Sequence, residues 1–193
     1  AYWFLFDFLR WAQYDNESYI NAARLLFAID GGANEMGRIS KPVFIFFPGL
    51  FEKLFGIHPR YIFILQNILF FYLNGFLFYK VLYKICKNYS QSYYGMIAYI
   101  SCQPFAVFSL FMMADGSGWF FELLIIYLTL HIIFFENATK TTHLIGLATI
   151  MAIGMLTKES VLAAIIFSTC MICFSIHSLK EKINLLLVLL ITF

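Results

Sequence analysis

Residues 61–79, 88–114, 141–157 and 160–179 contain no Asp, Glu, Lys or Arg, and residues 116–135 contain only Glu122. Each run is close to the ~17–25 residues that a helix needs to cross a hydrocarbon core. In lipid an open segment must satisfy its own backbone hydrogen bonds, which a helix does. The composition agrees: 62% of the chain is hydrophobic, 12% is charged, and mean hydropathy is +0.80. A soluble domain carries about a quarter charged residues, so this chain lacks the polar groups to cover a water-facing surface. It is also too rich in Phe, Ile, Leu and Tyr to be disordered. A net charge of +2 makes no electrostatic case for nucleic acid. The fold class read here is all-α, a polytopic transmembrane helix bundle. Residues 61–193 form the bundle, with about five complete spans and the start of another. The chain reads as an N-terminal excerpt of a larger membrane protein, without a signal peptide.

Lysines orient the spans. Lys80, Lys84 and Lys87 follow the first run, Lys140 the third, and Lys180 and Lys182 the fifth. Alternating the spans puts all six on one side, which the positive-inside rule makes cytoplasmic. Residues 1–60, Asp115 and the Lys158-Glu159 turn then share the extracytoplasmic side. Pro104 falls inside the second run and is expected to kink it. Cys86, Cys102, Cys170 and Cys173 lie in or beside apolar runs. The CxxC at 170 and 173 has no second pair or nearby His pair to complete a zinc site, so ordinary buried cysteines are expected.

Residues 1–60 are not a transmembrane pattern. Six Lys/Arg balance six Asp/Glu there. Asp15 is placed to cap a helix running to about Ile29. Tyr19, Ala22, Ala23, Leu26 and Phe27 share one face of it, and Glu17, Asn21 and Arg24 share another, so the helix suits a membrane surface. A turn follows at Asp30-Gly31-Gly32. The apolar piece 43–56 reads as interfacial or re-entrant, broken at Pro48-Gly49. Residues 1–60 are therefore expected to form an extracytoplasmic loop with amphipathic interfacial helices.

Charges converge on that side: Asp15 with Glu17, Asp115, and Lys158 with Glu159. Each alone has an ordinary explanation. Asp115 before Gly116-Ser117-Gly118 is a good helix cap. Lys158 fits an interfacial lysine, or one paired with Glu159 or Asp115. Together, acids and bases on one face of a membrane protein point to a site. Glu122 lies about two turns inside its span with no role assigned. His131, His143 and His177 fall at the cytoplasmic half or edge.

The stretch from Asp15 through Glu17, Tyr19 and Ala23 to Arg24 resembles the first extracytoplasmic loop of GT-C glycosyltransferases. These are the protein O-mannosyltransferase and aminoarabinose-transferase group, whose loop reads Asp-(Glu)-x-x-Tyr-x-x-x-Ala-Arg. Ser40-Lys41-Pro42 is similar to the family's (Glu/His)-(Lys/Pro)-Pro step. The segments from Phe47 to Phe51 and from Leu54 to Gly56 also resemble that loop. Asp115 stands at the second acidic position, and the stretch from Gly154 through Leu156, Thr157 and Lys158 to Glu159 resembles the Leu-Thr-Lys motif. The likeness runs from about residue 11 to 180, with four motifs in order.

The resemblance implies a multi-pass enzyme that moves a sugar from a polyprenyl-phosphate donor to an acceptor hydroxyl, with inversion. The acceptor is a lipid, glycan or protein on the extracytoplasmic face. The expected location is the plasma (inner) membrane, with the bilayer itself a partner. Asp15 is assigned as catalytic base, with Asp115 as the second catalytic acid. Lys41 and Lys158 are assigned to the donor phosphate, with Arg24, Glu17 and Tyr19 also in substrate binding. One carboxylate suffices to deprotonate the acceptor, and cations stabilise the leaving phosphate. No cofactor is named by the residues. A divalent cation is the one the family suggests, although Ser40 replaces the metal-binding Glu of aminoarabinose transferases and Asn16 a Glu common in the family. Two other classes stay open: a transporter or lipid flippase, whose charges usually sit at mid-bilayer in broken helices, and a noncatalytic scaffold relative.

Overall fold

The computed structural model describes residues 14–29, 36–102, 114–134 and 141–175, with backbone only for Tyr14, Asp15, Asn16, Met36 and Thr141. Among these residues the chain is helical throughout, without strands. The helices are α1 (Tyr14–Leu26), α2 (Met36–Ile39), α3 (Pro42–Phe55), α4 (Pro59–Cys86), α5 (Tyr89–Ser101), α6 (Asp115–Phe134), α7 (Thr141–Met155) and α8 (Val161–Ser175). Two are long and apolar enough to cross a membrane: α4 with 28 residues and α6 with 20. At 1.5 Å per residue these are about 42 and 30 Å long, against a core of about 30 Å. α7 and the described part of α8 are apolar but shorter, 15 residues each. Much of their apolar surface faces outward, as at Leu65, Leu69, Phe76, Ile166 and Phe174.

The helix boundaries have local causes. Pro42 and Pro59 open α3 and α4, at positions where a missing N–H costs nothing. α3 ends at Gly56 in the left-handed conformation (φ 67°), whose N–H reaches the Glu52 carbonyl at 2.9 Å. Lys87 (φ 53°) closes α4 in the same way, and the adjacent Asn88 caps α5 through Gln91 N–H at 3.1 Å. Two residues therefore turn the chain back on itself.

The apolar piece 43–56 is not broken at Pro48-Gly49. α3 runs straight through both residues. Proline removes the N–H that would bond the Phe44 carbonyl, and Gln66 Nε2 of α4 donates to that carbonyl instead, at 3.2 Å. Gly49 permits a tight crossing with α1: a Cβ there would lie 2.6 Å from the Ala23 carbonyl oxygen. The pair reads as a helix breaker in sequence and acts as a packing device in the fold.

Two apolar clusters result. Tyr19, Ala22, Ala23, Phe44, Ile45, Phe63 and Ala114 join α1 and α3 to the first turns of α4. Tyr19 meets Phe44 edge to face at 5.1 Å, and Phe44 lies 5.1 Å from Phe63. Leu26, expected on the buried face, is 38% exposed. The second cluster, including Phe121, Ile125, Leu147, Met151, Val161 and Ile165, holds α6, α7 and α8 together. α4 packs extensively on both α5 and α6.

The cysteines differ from expectation. Cys86, Cys102 and Cys170 are exposed and Cys173 is half-buried; all four are free. Cys86 ends α4, Cys102 follows α5, and Cys170 lies on the outer face of α8 between exposed Phe167 and Phe174. The kink at Pro104, the turn at Asp30-Gly31-Gly32, and Lys140, His177, Lys180 and Lys182 lie outside the described residues.

Candidate functional site

The turn between α7 and α8 lies where the two apolar clusters meet. Ala114 of the first cluster precedes Asp115, and Val161 of the second follows Ser160. Backbone bonds from Thr157 and Lys158 N–H to the Gly154 carbonyl, at 2.9 and 3.0 Å, end α7 and fix the turn. Three consecutive side chains then reach three places. Lys158 Nζ donates to Asp115 Oδ1 at the start of α6, at 2.7 Å. Glu159 receives Lys41 Nζ from the start of α3, at 3.0 Å. Ser160 Oγ donates to Glu122 Oε1, two turns into α6, at 2.7 Å.

Lys41, Glu159, Lys158 and Asp115 thus form one alternating string of charge across three elements. Lys41 stays out of the helix that Pro42 opens (φ −111°, ψ 56°), and its side chain is only 10% exposed. Its carboxylate partner is 71% exposed. A nearly buried cation therefore depends on an acid that remains open to water. Glu159 is held below the usual carboxylate range, first by its own backbone N–H and then by Lys41. Gly118 makes room for this arrangement, because a Cβ there would stand 2.9 Å from Lys158 Cβ.

The other assigned residues are placed differently. Arg24 makes a bidentate pair with Glu52, with Nη2 at 2.7 Å from Oε1 and Nε at 3.1 Å from each oxygen. This planar match braces α1 against α3, and the bond to Glu52 raises the Arg24 pKa. Tyr19 is buried, with its ring in the aromatic cluster and its hydroxyl accepting from Arg38 at 3.1 Å. Glu17 is exposed. Asp15 does not cap α1 as expected: its backbone is helical, within the first described turn, and α1 ends at Leu26 and not Ile29; the Asp15 side chain lies outside the described residues. Lys41, Lys158 and Asp115 are brought together, and Arg24 and Tyr19 serve packing between helices. Asp115 pairs with Lys158, one of the two ordinary explanations open to that lysine.

Arg38 was not among the sequence candidates. Its guanidinium lies 4.5 Å from the Tyr19 ring centroid and donates to Ser18 Oγ at 3.1 Å. Nothing in the local sequence marks it, because both partners are about twenty residues away. Glu159 and Glu122 were visible as charges in apolar runs, but their pairing with Lys41 and Ser160 was not.

Among the described residues no group of three His, Cys, Asp or Glu side chains is placed to hold a metal. Ser40 Oγ donates to the Gly37 carbonyl at 2.8 Å. Asp115 and Glu159 are engaged by lysines, so these residues do not fit a divalent ion. Compared with family models, curated proteins and solved structures, the chain matches none.

Proposed function

We propose that this chain belongs to a polytopic membrane glycosyltransferase that moves a sugar from a polyprenyl phosphate to an acceptor hydroxyl, with inversion. The observation carrying it is the meeting of Lys41 and Lys158, from opposite ends of the described chain, on neighbouring residues of one turn. The two cations are 117 positions apart in sequence, yet Lys41 reaches Glu159, the residue that follows Lys158. The acceptor oxygen attacks the anomeric carbon as the bond to the donor phosphate breaks. Asp15 takes the proton of the acceptor, and the phosphate leaves on the lipid carrier. The lysines offset the charge that builds on that phosphate. Glu159, exposed and adjacent to both, is the carboxylate that gives way to the phosphate. Asp115 holds Lys158 in position.

The test is transfer by the full-length protein from a polyprenyl-phosphate-linked sugar in membranes. Lys41→Met and Lys158→Met are each expected to weaken donor use by about 1.5–3 kcal/mol, the worth of a charge-assisted hydrogen bond. Helix content should persist. Asp15→Asn, which keeps the size of the side chain but takes no proton, should abolish transfer. Normal transfer by all three variants refutes the assignment.

One observation favours a transporter or flippase. The buried Asn74 Nδ2 donates to the Gly116 carbonyl at 2.7 Å, which sets the start of α6 beside the middle of α4. The Asp115–Lys158 pair is thus about 22 Å along α4 from Pro59, where transporters commonly keep their charges. Movement of a labelled polyprenyl phosphate between leaflets of vesicles, without any sugar acceptor, decides for that reading.

A further inference from the structure

No Asp or Glu occurs between Glu52 and Asp115, so the hairpin of α4 and α5 carries cations alone. Lys80, Lys84 and Lys87 cluster at its turn. Along the same hairpin runs a groove of about 360 Å³, lined by Tyr72, Gly75, Phe76, Met96 and Ile100 among others, and almost wholly apolar. It ends at Tyr79 and Tyr93, and these two residues also line a second hollow of about 370 Å³ with Tyr89, Ser90 and Tyr94. The groove and the hollow share these two tyrosines, and the lining changes from aliphatic and phenyl walls in the first to tyrosines in the second.

The walls are held at a fixed spacing. Phe78 stacks on Tyr99 at 4.2 Å, and Tyr83 on Tyr89 at 4.4 Å, pinning α4 to α5 at two levels. Gly75 permits a close approach beside the groove: a Cβ there would lie 2.9 Å from Ile100 Cγ2. Lys80 Nζ lies 5.3 Å from the ring centre of Phe76, one of the groove walls, and has no carboxylate partner among the described residues. Lys84 and Lys87 rest on Tyr127 and Phe134 of α6 at the same end of α4.

We infer that this groove binds an anionic phospholipid, with an acyl chain between α4 and α5 and the phosphate at Lys80 and the neighbouring tyrosines. The inference rests on the membrane reading of α4 but not on glycosyl transfer. Charge complementarity selects the occupant. An apolar slot accepts any hydrocarbon, but lysines on a hairpin whose own sequence has no acid, beside phenolic hydroxyls, favour a headgroup with net negative charge. The groove lies between α4 and α5, whereas Asp115 and Lys158 meet where α4 packs on the start of α6.

The experiment places the full-length protein in phosphatidylcholine nanodiscs containing a trace of phosphatidylglycerol with a photoactivatable acyl chain, followed by peptide mapping. Labelling should concentrate on residues 72–79 and 93–100. Unlabelled phosphatidylglycerol should compete well and phosphatidylcholine poorly. Lys80→Gln, a surface change that leaves the helix intact, should reduce that preference about fivefold, the worth of one lysine near an anionic surface. Label spread evenly over the outer faces of α4 and α8, or equal competition by phosphatidylcholine, overturns the inference. So does an unlabelled groove because a second copy or another part of the protein covers it. Release of the protein from native membranes by alkaline carbonate would instead overturn the membrane reading beneath it.

Discussion

Replacing Gly118 with Ala tests whether the charged turn is as tightly seated as its geometry implies. The added Cβ would meet Lys158 Cβ at 2.9 Å and Cγ at 3.0 Å, with Ser160 Oγ at 3.4 Å. Carbon atoms sit comfortably at about 3.5–4.0 Å, so the lysine stem must retreat by roughly 0.5 Å. Lys158 Cβ is one bond from the backbone, so the turn itself has to move. Backbone bonds to Gly154 and side-chain bonds to Asp115, Glu122 and Lys41 resist that motion. Overpacking of this kind costs about 1–3 kcal/mol. Against it stands the gain of about 0.5–1 kcal/mol from removing a glycine inside a helix. The expected net effect of Gly118→Ala is a loss of about 1 kcal/mol. Gly146, inside α7, supplies the control, because nothing lies within 4 Å of a Cβ placed there. Gly146→Ala should show the propensity gain alone and stabilise. Thermal unfolding of the full-length protein in detergent, followed by helical signal, should therefore move in opposite directions for the two variants. If Gly118→Ala stabilises as much as Gly146→Ala, the close approach of α6 to the turn is wrong.

Gln66→Leu should cost about 1–3 kcal/mol by leaving the Phe44 carbonyl without a donor, and most of that loss should vanish in a Pro48→Ala background, where the helix supplies its own N–H; an unchanged loss in the double-mutant cycle counts against the exchange. The Lys41–Glu159 link depends on pH with a definite sign. Glu159 has a lowered pKa in the fold, so its contribution is complete above the ordinary 4.5 and fades as pH falls through the lowered value. Unfolding of Glu159→Gln measured over that acid range should lack this part of the pH dependence, and an identical profile to the parent refutes it. Single cysteines at His58 and Lys87, in a cysteine-free background, should be labelled from opposite faces of sealed vesicles; labelling of both from one face means that α4 does not cross.

The apolar runs were legible in the chain because backbone self-satisfaction and span length are local constraints. Five charge-poor stretches announce helices, and α4 and α6 follow two of them closely. Local chemistry at Pro42, Gly56 and Pro59 also bounds α3 and opens α4. Local rules failed at Pro48-Gly49, where local chemistry says break and Gln66, eighteen residues on, repairs the missing bond. The site divides in the same way. Its members Lys41, Asp115, Lys158 and Glu159 stood out by themselves, since a charge beside an apolar run is costly and visible. Pairing did not, because electrostatic partners are chosen by where helices cross, and nothing in the sequence near Lys41 refers to a turn 118 residues away. Arg24 shows the limit most plainly. A motif assigned it to substrate, while the crossing of α1 over α3 at Gly49 brings it to Glu52. Composition and apolar runs decided the helices; packing decided which charges meet, because only the tertiary arrangement brings distant side chains within hydrogen-bonding distance.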